Sequence, residues 1–430
     1  MKAEIIGAGL AGCECAYILA NAGIEVILYE MKPLKFSPAH KNENFAELVC
    51  SNSLKAHRID SAAGLLKEEM RRMGSLLVPV AESVAVEAGG ALAVDREKFA
   101  HTVTEKTKKH PLITVKLQEV TDIDTETYTV IATGPLTDGK LAENIKDLCG
   151  DYLNFYDAAA PIVTSESIDK EKIFFATRYD KGTPDYINCP MDKEQYLTFY
   201  NALISAETAP LHGFDKDITV YEGCMPIEVL AKRGEDSLRF ANMKPVGLTD
   251  PKTGRRPYAV VQLRKEDKDG KLYNLVGFQT NLKFGEQNRV FKLIPGLENA
   301  EIMRYGVMHR NSYICSPKVL NRDYSLKEYP KIFFAGQITG VEGYMESAMS
   351  GILAAKNIIH RMENKSPFVL PVETMCGALT EYINTENSNF QPMGANMGIL
   401  PQLAKHYRDK KLKYQKYADR ALEALNEYCN

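Results

Sequence analysis

The stretch KAEIIGAGLAGCECAYILANAGIEVILYE, residues 2–30, decides the fold. Its first apolar run, residues 3–6, predicts a short strand, and a glycine-rich turn follows at residues 7–12. Residues 13–22 then have a helical pattern that ends at Gly23, and residues 24–29 form a second, largely apolar strand. The order strand, glycine turn, helix and strand predicts a βαβ unit at the start of the chain.

The glycines of this turn have the spacing Gly-x-Gly-x-x-Gly, which is typical of dinucleotide-binding sites when it stands between a strand and a helix. Gly7 permits the tight turn, Gly9 lets the backbone approach a pyrophosphate, and Gly12 lets helix and strand pack closely. Glu30 closes the second strand, where its carboxylate can accept hydrogen bonds from ribose hydroxyls. The alternative is a glycine-rich turn without a ligand. The predicted contacts are Gly7, Ala8, Gly9, Leu10, Ala11, Gly12 and Glu30.

Two later segments favour FAD over NAD as this ligand. Residues 130–134, VIATG, resemble the Ala-Thr-Gly strand end of flavoproteins of the glutathione-reductase class, and residues 332–337, IFFAGQ, resemble their C-terminal flavin segment. In that class a strand end and a helix N-terminus approach the flavin ring, so both ends of the chain would build one site. The resemblance adds these predicted FAD contacts: Thr133, Gly134, Gly336, Gln337, Gly343 and Tyr344.

Between these segments the chain changes character, because turn clusters at residues 181–184, 250–254 and 267–270 separate β-rich runs. We therefore predict an α/β fold, in which a glutathione-reductase-like FAD-binding Rossmann domain, discontinuous in sequence, carries an inserted α/β domain. The predicted parts are residues 1–160 for the first part of the FAD-binding domain, 161–304 for the inserted substrate domain, and 305–430 for the second part with a basic C-terminal helix at 402–426.

Composition limits the classes of function. The chain has 430 residues with 53 Lys and Arg against 56 Asp and Glu, so the net charge of −3 gives no sign of a nucleic-acid partner. Nine cysteines without metal-ligand spacing argue against both a disulfide framework and a structural metal. Because there is no signal-peptide pattern and no apolar run of about 18 residues, we expect a cytoplasmic protein with free thiols.

Two cysteines have sequence surroundings that suggest chemistry. Cys50 lies in a long polar loop that leaves the predicted FAD-binding unit, and Cys224 precedes Pro226 and a helical pattern at residues 227–232. Pro226 suits a first helical position, and the positive end of a helix lowers the pKa of a nearby thiol. The alternative is that both are buried structural thiols, which is how we interpret Cys13 and Cys15 in the first helix.

At this point the motifs resemble the bacterial folate- and FAD-dependent tRNA (uracil-C5) methyltransferases over nearly the whole chain. The stretches around Cys50, Cys224 and His309 are distinctive and are not typical of flavoproteins at large. The segments that carry the resemblance include FAELVCSNSL (45–54), GLLKEEMR (64–71), GGALAVDR (89–96), YEGCMPIEVL (221–230), MKPVGL (243–248), YGVMHRN (305–311) and residues 334–344. One departure is Phe284, where many members have Trp.

The resemblance implies methylation of a uridine in the tRNA T-loop to ribothymidine. It implies methylenetetrahydrofolate as the one-carbon donor, reduced FAD as carrier and reductant, and NADH or NADPH to recharge the flavin. By motif, Cys224 is the nucleophile at uracil C6, Cys50 is the base that removes the C5 proton or shields the flavin intermediate, and His309 stacks on the folate pterin. Two alternatives stay open, namely the same chemistry on 23S rRNA and a non-catalytic RNA-binding flavoprotein. No metal and no membrane partner are expected.

An RNA partner requires a local basic surface, and two segments are candidates. Residues 405–420 have seven Lys and Arg against two Asp, with Tyr407, Tyr414 and Tyr417 between them. Lys and Arg can bind phosphates and the tyrosines can stack on unpaired bases, or the helix can pack its tyrosines on the protein. The second candidate is the group of Lys232, Arg233, Lys244, Arg255 and Arg256 near Cys224.

Overall fold

The computed structural model describes residues 1–150, 153–180, 183–210, 225–387 and 390–429. The strands in this part of the chain are β1 Lys2–Ile6, β2 Glu25–Glu30, β3 Ser53–Ala56, β4 Ala85–Val86, β5 Ala91–Val94, β6 Ile113–Leu117, β7 Thr129–Ile131, β8 Leu153–Ala158, β9 Ile162–Thr164, β10 Phe174–Phe175, β11 Ile187–Met191, β12 Ala259–Lys265, β13 Leu272–Leu275, β14 Ile302–Arg304, β15 Met308–Tyr313 and β16 Ile332–Phe334. The helices are α1 Leu10–Asn21, α2 Ala62–Arg72, α3 Leu77–Ser83, α4 Arg96–Lys109, α5 Gly139–Cys149, α6 Lys193–Ile204, α7 Ile227–Ala231, α8 Ser237–Phe240, α9 Phe284–Phe291, α10 Ser316–Val319, α11 Tyr344–Met362, α12 Met375–Asn384 and α13 Lys410–Cys429.

A five-stranded parallel sheet in the order β16-β7-β1-β2-β6 forms the first layer of the fold. Strand β16 comes from the far end of the chain and pairs with β7, so this sheet is discontinuous in sequence. Helices α1 and α11 pack together on it, and their apolar residues share one core with the sheet. The predicted α/β class with a Rossmann-type parallel sheet is therefore confirmed, including the βαβ unit of β1, α1 and β2.

A second, antiparallel sheet has the order β10-β11-β12-β13-β9-β14. All its strands lie between residues 162 and 304, and it has its own apolar core, which includes Phe199, Phe278 and Leu297. Two smaller antiparallel sheets, β3-β5-β4 and β15-β8, complete the described strands. The domain boundaries at residues 160 and 304 stay predictions.

Local sequence signals set several helix ends. Asp95 accepts a hydrogen bond from the Lys98 backbone N–H at 3.1 Å and caps α4, as its position before the helical pattern predicts. Pro226 lies at the N-cap of α7, one position earlier than we expected, so its fixed φ precedes the first helical residue. The C-terminal helix begins at Lys410 and not near residue 402, which corrects our expectation for residues 402–409. Among the described residues, none of the helices combines the length and apolar composition needed to span a bilayer.

Two glycines permit the close approach of α1 to its neighbours. A Cβ atom on Gly12 would collide with the Gly7 carbonyl oxygen, so Gly12 allows the tight packing of helix and turn that its place in the motif predicts. A Cβ atom on Gly351 of α11 would collide with the Ala11 carbonyl oxygen of α1. Any larger side chain at either position must therefore move a backbone.

Substituting Gly351→Ala tests this packing. We expect the unfolding free energy to fall by about 1–3 kcal/mol, because the added methyl group forces α1 and α11 apart. The measurement is urea unfolding followed by circular dichroism. Gly285→Ala in α9 is the matched control, since a Cβ atom there meets no atom within 4 Å. Equal stability of the two variants would contradict this account of the helix contact.

Candidate active site

A cavity opens at the carboxyl edge of the parallel sheet, where β1, β2, β7 and β16 end. Ligands of open α/β sheets bind at this edge because the loops that follow the strands meet there. Eleven of the thirteen residues predicted to contact FAD line the cavity, namely Gly7, Ala8, Gly9, Leu10, Ala11, Glu30, Thr133, Gly134, Gly336, Gln337 and Tyr344. Gly12 and Gly343 do not line it, although each stands at a helix N-terminus that borders it.

The glycine turn gives the cavity a wall without side chains. Gly7 has a φ of +100°, and a Cβ atom there would lie 2.7 Å from the Ala132 carbonyl oxygen at the end of β7. Gly9 is different, because its Cβ atom would find no protein atom nearer than 4.0 Å and would point into open space. Gly9 is also the N-cap of α1, and no side chain caps this helix. The first-turn N–H groups therefore face the cavity, as an anionic diphosphate requires.

The carboxylate of Glu30 is fixed at the rim of the same cavity. Its Oε2 accepts a hydrogen bond from the Ala8 backbone N–H at 3.0 Å, and its Oε1 accepts one from the Lys32 N–H at 2.9 Å. A carboxylate has about four acceptor positions, so two remain for ribose hydroxyls. A 2′-phosphate would instead meet a buried negative charge, which favours a cofactor with free hydroxyls.

Sequence reasoning missed the loop after β2 as part of this wall. Lys32, Ser37 and His40 line the cavity, and the Ser37 Oγ lies 2.6 Å from the His40 Nδ1. Burial, together with the nearby Lys32 charge, lowers the pKa of His40. The segment after β6, residues 118–120, was missed as well. The available signal was topological, because both segments follow parallel strands at their carboxyl ends.

Cys50 is placed beside the cavity by its backbone. Val49 and Tyr344 both line the cavity, and the Tyr344 hydroxyl accepts hydrogen bonds from the N–H groups of Cys50 at 2.7 Å and of Ser51 at 3.1 Å. The Cys50 thiol is half-buried and lies 3.8 Å from the Ala158 carbonyl oxygen. Cys50 does not itself line the cavity, but its chain neighbour and its hydrogen-bond partner do, so it lies next to the predicted cofactor site.

The contact between Cys50 and Ala158 also brings Cys50 close to β15, the strand that contains His309. Ala158 ends β8 and is paired with Met308, while His309 is paired with the preceding residue of β8. The backbone of His309 is thus one register position from the atom that Cys50 contacts. Cys224 lies outside the described residues, two positions before the N-cap of α7, so the meeting of the two cysteines stays a prediction.

Other cysteines have surroundings that suit packing and not reaction. Cys13 and Cys15 are completely buried in α1, which confirms our interpretation of them as core residues. Burial raises the pKa of both thiols and raises that of Cys149 to about 12. A thiol in such surroundings stays protonated at neutral pH and is a poor nucleophile.

The basic segment 405–420 has two parts, because α13 begins within it at Lys410. Tyr417 is 4% exposed and belongs to the core around the parallel sheet, with Tyr414 packed against that core. Of the two alternatives left open for these tyrosines, packing on the protein is confirmed for Tyr417 and stacking on bases is excluded, because packing already covers its ring. The Lys413 and Arg420 cations lie 5.8 and 5.3 Å from the Tyr417 ring centroid.

All five residues of the second basic group are exposed. Lys232, Arg233, Lys244, Arg255 and Arg256 all present their side chains to solvent around α7, α8 and the loop before β12. Phe240, at the end of α8, lies among them and is 79% exposed.

At position 284, where we expected Trp in many relatives, Phe284 stacks on Tyr305 with ring centroids 4.5 Å apart.

A family model and full-length relatives from bacteria match this chain. The family model described as "Glucose inhibited division protein A" matches residues 2–366. The chain is 57% identical over 427 residues to the "Methylenetetrahydrofolate--tRNA-(uracil-5-)-methyltransferase TrmFO" of Desulfitobacterium hafniense, covering 99% of this chain and 98% of that protein. The protein of the same name from Staphylococcus saprophyticus is 56% identical over 428 residues, covering 99% of this chain and 98% of that protein.

Among solved structures, GidA from Aquifex aeolicus in its form I crystal superimposes with a TM-score of 0.72 at 15% identity. The match covers 99% of this chain and 76% of that one. The form II crystal gives a TM-score of 0.69, also at 15% identity, and covers 99% of this chain and 73% of that one. At this level of identity the similarity establishes the fold.

The open space at Gly9 generates a prediction about cofactor binding. Gly9→Leu should keep the fold but abolish tight FAD binding, because the new side chain would fill the place of the diphosphate. The measurement is the FAD affinity of purified apoprotein by fluorescence quenching. Gly90→Leu is the control, since that glycine is exposed and a Cβ atom there also meets nothing within 4 Å. Unchanged FAD affinity in Gly9→Leu would exclude this cavity as the cofactor site.

Proposed function

The chain belongs to the methylenetetrahydrofolate–tRNA-(uracil-5-)-methyltransferase family within the wider glucose-inhibited division protein A group, and from this premise we propose that it methylates C5 of a T-loop uridine in tRNA. The product is ribothymidine, the one-carbon donor is methylenetetrahydrofolate, FAD is the cofactor, and NADH or NADPH returns the flavin to its reduced form. The observation that carries the proposal is the position of Cys50, whose backbone is bonded to Tyr344 in the cofactor cavity wall.

The residues of the cavity fit FAD. The uncapped N-terminus of α1 and the open space at Gly9 suit the diphosphate, and Glu30 offers two acceptor positions to the ribose. Gly336, Gln337 and Tyr344 line the cavity and would hold the isoalloxazine ring. When bound in its reduced form, FAD would supply the electron pair that takes the one-carbon unit from the methylene to the methyl level, and NADH or NADPH would then reduce the flavin again.

The two thiols supply what uracil itself lacks. Carbon C5 of uracil is a poor nucleophile, but addition of the Cys224 thiolate to C6 turns C5 into an enolate carbon that can attack a one-carbon electrophile. Cys50 as thiolate then takes the proton from C5, and the C6–sulfur bond breaks to return Cys224 as thiolate. Each thiol therefore needs its ionised form at one stage, and Cys50 must lie where the one-carbon unit is handled.

Binding of tRNA requires positive charge near this site. The net charge of −3 gives no overall attraction to RNA, so the exposed cations around α7 and α8 and those of residues 405–413 must act locally. The first group is close in sequence to Cys224, and we assign it the T-arm backbone. His309 is assigned to stack on the pterin ring of the folate, which its strand position beside Cys50 supports.

Replacement of either cysteine tests the mechanism. Cys224→Ala should form no detectable 5-methyluridine, and Cys50→Ala should lower the rate by about 10²–10⁴-fold, the usual contribution of a positioned general base. The assay is mass spectrometry of nucleosides from an unmodified tRNA transcript incubated with methylenetetrahydrofolate and NADPH. Cys315→Ala is the control, because that thiol is also half-buried but lies at the edge of the core. Full methylation by Cys224→Ala would refute its role as nucleophile.

The donor and the target are tested together in a second assay. We expect 5-methyluridine in the T-loop of tRNA when methylenetetrahydrofolate is supplied, and none when S-adenosylmethionine replaces it. Fragments of 23S rRNA should remain unmodified under the same conditions. Methylation of the rRNA fragments alone would reassign the target, and product formed from S-adenosylmethionine would overturn the proposed reaction.

A further inference from the structure

Residues 48–52, the segment that contains Cys50 and which we call the Cys50 loop, form no regular element before β3. Three of its carbonyl oxygens accept hydrogen bonds from arginine side chains. Arg96, the first residue of α4, donates to the Leu48 oxygen at 3.0 Å and to the Cys50 oxygen at 3.1 Å. Arg304 of β14 donates to the Val49 oxygen between them. Guanidinium groups thus take the place that a neighbouring strand would fill.

A third arginine holds the other end of the Cys50 loop. Arg264 of β12 donates from Nη2 to the Ser51 Oγ at 2.7 Å and from Nε to the Asn52 Oδ1 at 3.1 Å. Asn52 is completely buried, and its Nδ2 donates to the Lys265 carbonyl oxygen at 2.9 Å. The antiparallel sheet therefore contacts the loop directly, and it does so through a charged group that is itself only 7% exposed.

Among the side chains that the structure describes, positive charge exceeds negative charge around the loop. Arg96, Arg264 and Arg304 bring three positive charges, and the described groups that can offset the charge of Arg304 are the Tyr344 hydroxyl, the Cys50 thiol and the Glu266 carboxylate. Glu266 lies 2.7 Å from the Arg96 Nε. Burial and the repulsion from Arg96 lower the pKa of Arg304, while the negative forms of Tyr344, Cys50 and Glu266 act in the opposite direction. One further negative charge at the loop would therefore reduce the repulsion between the guanidinium groups.

We propose that Arg304, with Arg96 and Arg264, is a positioning residue that keeps the Cys50 thiol ionised beside the cofactor cavity. The role of that thiolate in the reaction rests on the proposed function, whereas its ionisation can be measured without substrate. Arg304 touches the loop backbone and not the reacting atoms, so its effect passes through Cys50. The geometry explains why a segment without secondary structure receives one buried and two partly buried cations from three separate elements.

The experiment measures the ionisation of Cys50 directly. The rate of iodoacetamide alkylation of the Cys50 peptide is followed by mass spectrometry across pH in the FAD-loaded protein, with no RNA and no folate. Arg304→Gln should raise the midpoint pH by at least about one unit, which slows alkylation about tenfold below both midpoints. Arg304→Lys keeps the charge and should keep the wild-type midpoint within a few tenths of a unit.

Glu266→Gln should shift the midpoint pH of Cys50 alkylation in the opposite direction. It removes the carboxylate that, among the described side chains, forms an ion pair with Arg96, so the midpoint should fall, and general damage to the loop would not produce that direction. Arg178→Gln is the matched control, because Arg178 is also partly buried and donates to the Val246 carbonyl and to Gln262, each at 2.9 Å, away from the Cys50 loop. Circular dichroism and flavin content show which variants fold. If Arg304→Gln does not fold, the midpoint pH of Glu266→Gln tests the inference by itself.

Equal midpoints in wild type, Arg304→Gln and Glu266→Gln would overturn the inference, as would a shift in Arg304→Lys as large as that in Arg304→Gln. The outcome is independent of the proposed function. If the midpoints move as expected while the wild-type protein makes no 5-methyluridine, the reaction is wrong and the charge effect stands. If methylation occurs and the midpoints do not move, the inference alone fails.

Discussion

The hydrogen bonds that hold residues 48–52 are the constraint on which the rest of the site depends. This segment belongs to no described strand, and buried backbone groups without partners are costly. Arg96 and Arg304 donate to its carbonyl oxygens and Tyr344 accepts from its N–H groups. Arg264 of β12 donates to the side chains of Ser51 and Asn52. Two of these four side chains come from helices and two from the antiparallel sheet, so elements far apart in the sequence hold Cys50 in position.

The cofactor cavity follows from a different and more local cause. Parallel strands β1, β2, β7 and β16 end at one edge, and glycines keep that edge free of side chains. The Cys50 loop then borders the cavity because Tyr344, the first residue of α11, contributes to both. The Tyr344 hydroxyl accepts hydrogen bonds from the backbone N–H groups of Cys50 and Ser51, and it thereby links the Cys50 loop to the proposed flavin site.

The βαβ unit and the cofactor wall could be predicted because their signals are short in sequence. Gly7, Gly9 and Gly12 act within six residues, and Asp95 caps α4 from the adjacent position. The arginines that bind the Cys50 loop could not be predicted in this way. Residues 96, 264 and 304 are far apart in the sequence, and no short motif indicates that they contact residues 48–52. Tyr417 stayed open between RNA stacking and packing, because an aromatic residue in a basic segment suits both until its burial is known.

A pH titration of the visible spectrum of bound FAD tests most directly whether Cys50 lies beside the flavin. Ionisation of a thiol beside the isoalloxazine ring changes the electrostatic field at the ring and therefore its absorption. We expect a pH-dependent spectral transition in the wild-type protein that is absent in Cys50→Ser at equal flavin content. Identical titrations of the two proteins would contradict it, because Cys50 would then lie too far from the flavin to act there.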